Sequence, residues 1–265
     1  MHRRKLLIPI EKHLEQRKRR AAKKTKTTLP AKFDIVARMP TPYDQGNVGA
    51  CTANAECAAF KALEADKTFE PSRMYLYYKE RLVEEKPGEA IGDTGADPED
   101  GLDWLHAHGV CAEASWPYAE ENVDATPPAE CDAEAALHKT AGYYHVDGSG
   151  ASLHSAIKKA IFSGLPVVAG ISVYESFLTD EVAKTGEVPY PHCLEFDDPN
   201  DPVDPYQGGH CILLVGWSDP DRKYLALNSW GTGWGLPSQP GYFHIPYSYV
   251  QEPALAQEFR AITKV

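Results

Sequence analysis

The sequence lacks any run of eighteen apolar residues, so it predicts no membrane-spanning helix. None of its six cysteines forms a CxxC pair, which argues against a structural zinc site. Six cysteines in 265 residues are also too few for a disulfide-held scaffold, and no internal repeat is present. We therefore expect a hydrophobic core to carry the fold, and no metal ion or other cofactor is predicted.

Charge is distributed unevenly along the chain. Residues 1–28 hold 11 of the 27 lysines and arginines but two of the 38 acidic residues, so this arm carries +9 and the remainder carries −20. Such an arm can lie back on its acidic body, bind an anionic partner, or remain a solvated tail. Because the acidic body would repel a phosphate backbone, a nucleic-acid partner is not expected.

The N-terminal residues do not resemble a secretory signal. The apolar stretch from Leu6 to Ile10 is short, and the charged pair Glu11-Lys12 follows it directly. We therefore expect the protein to be cytoplasmic, or exported by a route that needs no signal peptide.

Periodicity divides the remaining chain into a helical half and a strand-rich half. Helices are predicted over Cys51–Ala65, Ser72–Val83, Pro98–His108 and Ser152–Ser163. Strands are predicted over Ala141–Val146, Val167–Val173, Cys211–Trp217, Tyr224–Asn228 and Tyr242–Ile245. This order favours an α+β protein with a helical lobe, a β lobe and a cleft between them.

Cys51 is the first candidate for chemistry. It follows a glycine-containing loop and opens an alanine-rich helix, and a helix N-terminus favours the reactive thiolate. Gly49 leaves room beside it for a substrate carbonyl. Six residues upstream, the side-chain amide of Gln45, together with the backbone N–H of Cys51, can hold a developing oxyanion.

A base for this thiol must come from elsewhere in the chain. His210 follows two glycines and opens an apolar strand, while Asn228 ends the next predicted strand. An amide in that position can fix the tautomer of the imidazole, and Trp230 can shield their hydrogen bond from water. Taken singly, a cysteine at a helix start and a histidine at a strand start are ordinary structural residues. The order Gln, Cys, His, Asn is what favours a catalytic site.

Three motifs resemble those of the papain family of cysteine peptidases. They are Gln45 to Cys51, Gly208 to Trp217, and Asn228 to Gly235, the last being the most specific. Weaker similarities are found at 95–98, 116–118 and 241–242. The resemblance covers about 30–265 and implies a two-lobe fold, with a helical lobe over about 43–140 and a β-barrel-like antiparallel lobe over about 141–265. The cleft between them would hold the active site.

The resemblance implies an endopeptidase that hydrolyses peptide bonds through a thioester acyl-enzyme. Cys51 would be the nucleophile, His210 the general base and acid, Asn228 its orienting partner and Gln45 part of the oxyanion hole. The residues implied to bind substrate are Gly49, Gly95, Ala96, Asp97, Ile171, Val173, Gly209 and Trp230. An acyl transferase or amidase on the same arrangement, or a binding protein with little catalysis, remains an alternative.

The chain departs from the family pattern beside the nucleophile. Thr52 stands where the family usually has tryptophan, and Val48 where it has a cysteine whose partner would fall near Asp93. Losing both cysteines indicates a bacterial-type branch without the usual disulfides. Family members are made as proenzymes, so the basic arm gains a third interpretation, as a short inhibitory segment held across an acidic cleft.

Overall fold

The helical half of the protein comes first along the chain. The computed structural model describes residues 28–84, 91–192 and 204–265. Its helices are α1 Cys51–Leu63, α2 Arg73–Glu84, α3 Pro98–Ala107 and α4 Ala129–Ala135. Helix α1 is buried along almost its whole length, because its alanines allow close approach of neighbouring elements. Helix α3 is capped by Asp97, whose carboxylate accepts from the backbone N–H of Glu99 at 2.8 Å.

The second half is built on one antiparallel sheet. Its strands are β1 Lys32–Asp34, β2 Gly142–His145, β3 Val167–Tyr174, β4 Tyr206–Ser218, β5 Lys223–Leu227, β8 Tyr242–Pro246 and β9 Ala256–Lys264. Strands β6 Gly235–Leu236 and β7 Gln239–Pro240 form a separate hairpin. Three further helices are α5 Gly150–Phe162, α6 Asp180–Thr185 and α7 Tyr247–Gln251.

The sheet has the strand order β2-β9-β3-β4-β5-β8, with β1 added alongside β4. Within the described residues β2 and β8 are the two ends of this order and do not pair with each other, so the sheet is open. The barrel-like closure expected from the family resemblance is therefore not found, although the α+β division into two lobes is confirmed. Strand β4 is central, and its pairing with β3 places His210 opposite Ile171.

The predicted elements are present, with ends that shift by a few residues. Helix α1 ends two residues before the expected Ala65, and β4 starts five residues before the expected Cys211. Strand β9 was not predicted. Its alternation breaks where Glu258 adopts a φ of 59°, and four consecutive residues from Phe259 to Ile262 are then buried. Because Arg260 interrupts the apolar residues there, the sequence shows neither period-two alternation nor the unbroken apolar run of a buried strand.

Several sequence predictions fall outside the described residues or meet a finding only in part. The basic arm lies almost wholly outside them, as does Cys193. The other five cysteines are free thiols. Among the described residues, no helix combines the length and the apolar character needed to cross a bilayer.

Candidate active site

The loop that precedes α1 is fastened to the loop that follows β5. The backbone N–H of Gln45 donates to the carbonyl of Ser229 at 2.8 Å, and the N–H of Gly231 donates to the carbonyl of Tyr43 at 2.8 Å. Asp44 and Trp230 form a bridge between these two bonds. Two segments about 180 residues apart in sequence are thereby held in one fixed register.

The Gln45 side chain is oriented by the same junction. The hydroxyl of Ser229 donates to its Oε1 at 2.6 Å, and its Nε2 donates to the carbonyl of Val48 at 2.9 Å. A side-chain amide has two N–H groups, so the second remains available on the side where Gln45 lines the cleft. Sequence reasoning missed Ser229, although it lies inside the asparagine motif.

His210 and Asn228 form a buried pair. His210 Nε2 lies 2.8 Å from Asn228 Oδ1, which also accepts from the backbone N–H of Ser229 at 2.8 Å. Because the facing atom is an amide oxygen, Nε2 carries the proton and Nδ1 is left as the acceptor. The Trp230 ring stacks on the imidazole with a centroid separation of 4.9 Å. Burial lowers the pKa of His210 to about 4, and the hydrogen bond with Asn228 opposes this in part.

Cys51 is the first residue of α1 and is half-buried. Ala50 precedes it and offers no capping side chain, so no side chain at that position competes for the first N–H groups of the helix. Burial raises the pKa of the Cys51 thiol. A hydrogen bond from the backbone of Cys211 lowers it, and the carboxylate of Glu80 raises it further. Taken separately, burial therefore disfavours both the thiolate of Cys51 and the imidazolium of His210.

Gln45, Cys51 and His210 line one cleft of about 720 Å³ between the two lobes. Of the residues predicted to bind substrate, six also line it, namely Gly49, Gly95, Ala96, Asp97, Ile171 and Gly209. Val173 and Trp230 do not. Val173 is buried in β3 opposite Gly208, and Trp230 covers the His210–Asn228 pair. Among the described residues, the charged ones that line the cleft are acidic: Asp93, Asp97 and Glu258.

This geometry agrees with a match to a known family. The family described as papain family cysteine protease matches residues 29–260. The chain belongs to the papain family of cysteine peptidases. Among solved structures it is similar to xylellain, a cysteine protease from Xylella fastidiosa, with 32% identity, a TM-score of 0.74, and coverage of 90% of this chain and 87% of that one.

Two further relatives extend the comparison. A peptidase C1-like protein of Acanthamoeba polyphaga mimivirus is 36% identical over 230 residues, which are 84% of this chain and 69% of that protein. Digestive procathepsin L 3 of Tenebrio molitor larval midgut shares the fold, with a TM-score of 0.64 at 19% identity over 90% of this chain and 72% of that one. The similarity in fold therefore extends beyond recognisable sequence identity.

In place of the missing papain-family disulfide, a polar network ties the loop before Cys51 to the segment that contains Asp93 and Gly95. Asp93 accepts from the backbone N–H of Gly49 with both carboxylate oxygens, at 3.0 and 3.1 Å. The hydroxyl of Tyr77 donates to the same carboxylate and accepts from the N–H of Gly95 at 3.0 Å. The two segments that the sequence comparison marked as a lost bridge are thus still joined, through a carboxylate.

Replacing Asp93 with alanine should lower peptidase activity clearly while changing the free energy of unfolding only slightly. Asp93 is exposed, so we expect a loss of about 1 kcal/mol or less in unfolding free energy. A small displacement of the nucleophile loop is expected to lower kcat/KM by about tenfold to hundredfold. Urea unfolding and hydrolysis of a fluorogenic peptide would measure the two effects. Thr94→Ala is the matched control, and equal rates for both variants would contradict the role given to Asp93.

Proposed function

We propose that this protein is an endopeptidase in which Cys51 is the nucleophile, His210 the general base and acid, Asn228 its orienting partner and Gln45 an oxyanion donor. The observation that carries the proposal is the shared cleft. One concave surface holds a thiol at a helix start, a buried imidazole with Nδ1 free to accept, and an amide with a spare N–H.

The reaction follows from these positions. As the Cys51 sulfur attacks the peptide carbonyl carbon, its proton passes to Nδ1 of His210 and the carbonyl oxygen becomes an oxyanion. Gln45 Nε2 and the backbone N–H of Cys51 donate to that oxygen. When the intermediate collapses, the C–N bond breaks and the amine leaves with the proton from His210. A thioester remains, and water activated by His210 hydrolyses it.

Asn228 and Trp230 support the base without touching the substrate. Asn228 Oδ1 holds Nε2–H, which keeps Nδ1 as the proton acceptor, and stabilises the imidazolium once it forms. Trp230 excludes water from that hydrogen bond and so strengthens it. Its own ring is braced by Phe177 and Trp234 at centroid distances of 5.6 and 5.2 Å.

The assignment of Cys51 is tested by trapping the thiol. We expect an epoxide or iodoacetamide to label Cys51 before the other cysteines, four of which are buried, and to abolish peptide hydrolysis in step. Gln45→Ala should lower kcat by about 10² to 10³, the usual cost of one oxyanion donor. Mapping the labelled peptide and assaying Cys51→Ala complete the test. Peptide cleavage by Cys51→Ala would exclude the mechanism.

The acid limb of the pH–rate profile tests the role of His210. With its pKa lowered to about 4, the imidazole stays neutral and able to accept a proton well below pH 6.5. We therefore expect kcat/KM to fall on acidification with an apparent pKa near 4. Trp230→Ala admits water, relieves desolvation and should move this limb to higher pH, whereas Trp230→Phe keeps an aromatic cover. An apparent pKa of 6.5 for the acid limb of the wild-type protein would contradict the role given to His210.

We also propose that the basic arm regulates access to the cleft. The arm of residues 1–28 carries +9, and the charged residues that line the cleft in the described part of the chain are acidic. Attraction between them is screened by salt. Family members made as proenzymes, as the name procathepsin indicates for one structural relative, support the idea of an inhibitory N-terminal segment.

This regulation predicts a salt-dependent difference between two chains. A chain starting at Leu29 should be more active than the full chain at low ionic strength, and the full chain should approach it as salt rises. The matched control is a full chain in which the cluster Arg17 to Arg20 is changed to glutamine, which should behave like the shorter chain. Equal activity of full and shortened chains at every salt concentration would overturn the proposal.

A further inference from the structure

Thr52 follows the proposed nucleophile and has no part in the hydrolysis described above. It is buried, with a relative exposure of 2%. Its hydroxyl donates to Oε2 of Glu80, on α2, at 2.6 Å. Thr52, which stands where the papain family usually has tryptophan, therefore donates a hydrogen bond inside the helical lobe. The accepting carboxylate is itself fully buried.

Glu80 meets a second buried carboxyl group there. Glu56 lies on α1, one turn after Thr52, and both glutamates are completely inaccessible to solvent. The facing residue of α3 is Gly101, and a Cβ atom there would overlap an oxygen of each carboxyl group. The two carboxyl groups therefore share one small space that α3 leaves open by having no side chain at that position.

A proton is needed to make this contact favourable. Two ionised carboxylates in contact inside a protein repel one another strongly. As carboxylates, both oxygens of Glu56 lack a hydrogen-bond donor among the described residues. With one proton between them, Glu56 and Glu80 hydrogen-bond to each other. Burial, reinforced by the charge of Glu80, raises the pKa of Glu56 well above its ordinary value.

The charges around the pair keep that proton in place. Asp97 and Asp100, at the start of α3, also raise the pKa of Glu56. The neighbouring titratable thiols are Cys51 and Cys57 on α1 and Cys211 on β4. The cations beside Glu80 in sequence are engaged elsewhere. Lys79 pairs with Asp132, and Arg81 donates to the carbonyls of Tyr77, Gly92 and Val123.

We propose that Glu56 and Glu80 hold one proton between them and, through Thr52, position Cys51 and place a single negative charge behind it. This proposal rests on the function proposed above for Cys51. This charge opposes the thiolate form of Cys51, since Glu80 raises the pKa of that thiol. The shared proton prevents a second charge from accumulating there. These are positioning residues, because none of the three carries a proton to or from the substrate.

Glutamine variants count the charges on the pair. Glu56→Gln and Glu80→Gln each leave one carboxylate that is bonded by an amide, so each single variant should keep the wild-type charge. The double variant removes it. We expect the pKa for iodoacetamide alkylation of Cys51 to stay close to wild type in both single variants. In the double variant it should fall by about one unit, a roughly tenfold gain in thiolate.

Any other pattern of alkylation pKa values among the single and double variants would overturn the proposal. Stepwise falls in both single variants would mean two charges on the pair, and no shift in the double variant would mean none. Glu130→Gln, an exposed glutamate, is the control for removing a distant charge. Alkylation is read without any peptide substrate, so a failure of this proposal is distinguishable from a failure of the peptidase assignment.

Proton release on unfolding provides a second measurement that needs no double variant. A carboxyl group whose pKa is raised in the folded state stabilises the protein fully below the unfolded pKa, and this stabilisation is lost as pH rises through the folded pKa. Unfolding of Glu56→Gln near pH 7 should therefore release about one proton fewer than wild type. Identical release, measured from the pH dependence of unfolding, would show that Glu56 holds no proton. Thr52→Val should disturb the alkylation profile and Thr52→Ser restore it.

Discussion

The hydrogen-bonded junction between residues 43–45 and 229–231 is the constraint on which the site depends. Residues 43–45 lie a few residues before the helix that begins at Cys51. Residues 229–231 directly follow Asn228 and include Trp230. Because hydrogen bonds are directional, the junction fixes the positions of Gln45 and Asn228 with the same set of contacts. A displacement there would move both together, whereas a change within either loop would move one.

Burial governs the electrostatics of the cleft. It disfavours the imidazolium of His210 and the thiolate of Cys51 separately, and the carboxylate of Glu80 adds to the second effect. A thiolate and an imidazolium formed side by side stabilise each other, so the cost is lowest when the proton moves directly between them. The two charged forms therefore depend on being formed together, as a pair.

The sequence was sufficient for the candidate site because its motifs are local. Gln45 and Cys51 share one loop, Asn228 and Trp230 share another, and each position can be named without knowing how the lobes pack. The pair Glu56 and Glu80 could not be predicted, since two glutamates on different helices normally face solvent. Their contact depends on Gly101, on a third helix. Strand β9 was missed for a similar reason: Arg260 is buried there only because Glu99 and Glu258 neutralise it.

The departures from the papain-family pattern are also connected to one another. Where the family usually has a disulfide, Asp93 and Tyr77 join the same two segments, around Gly49 and Gly95, by hydrogen bonds. Where the family usually has a tryptophan, Thr52 donates a hydrogen bond to Glu80 of a buried carboxyl pair. Both replacements exchange a contact that is indifferent to pH for one that contains a titratable group. The geometry around Cys51 in this chain is therefore tied to polar residues outside the proposed catalytic set, with Asp93 bound to Gly49 before it and Glu80 bound to Thr52 after it.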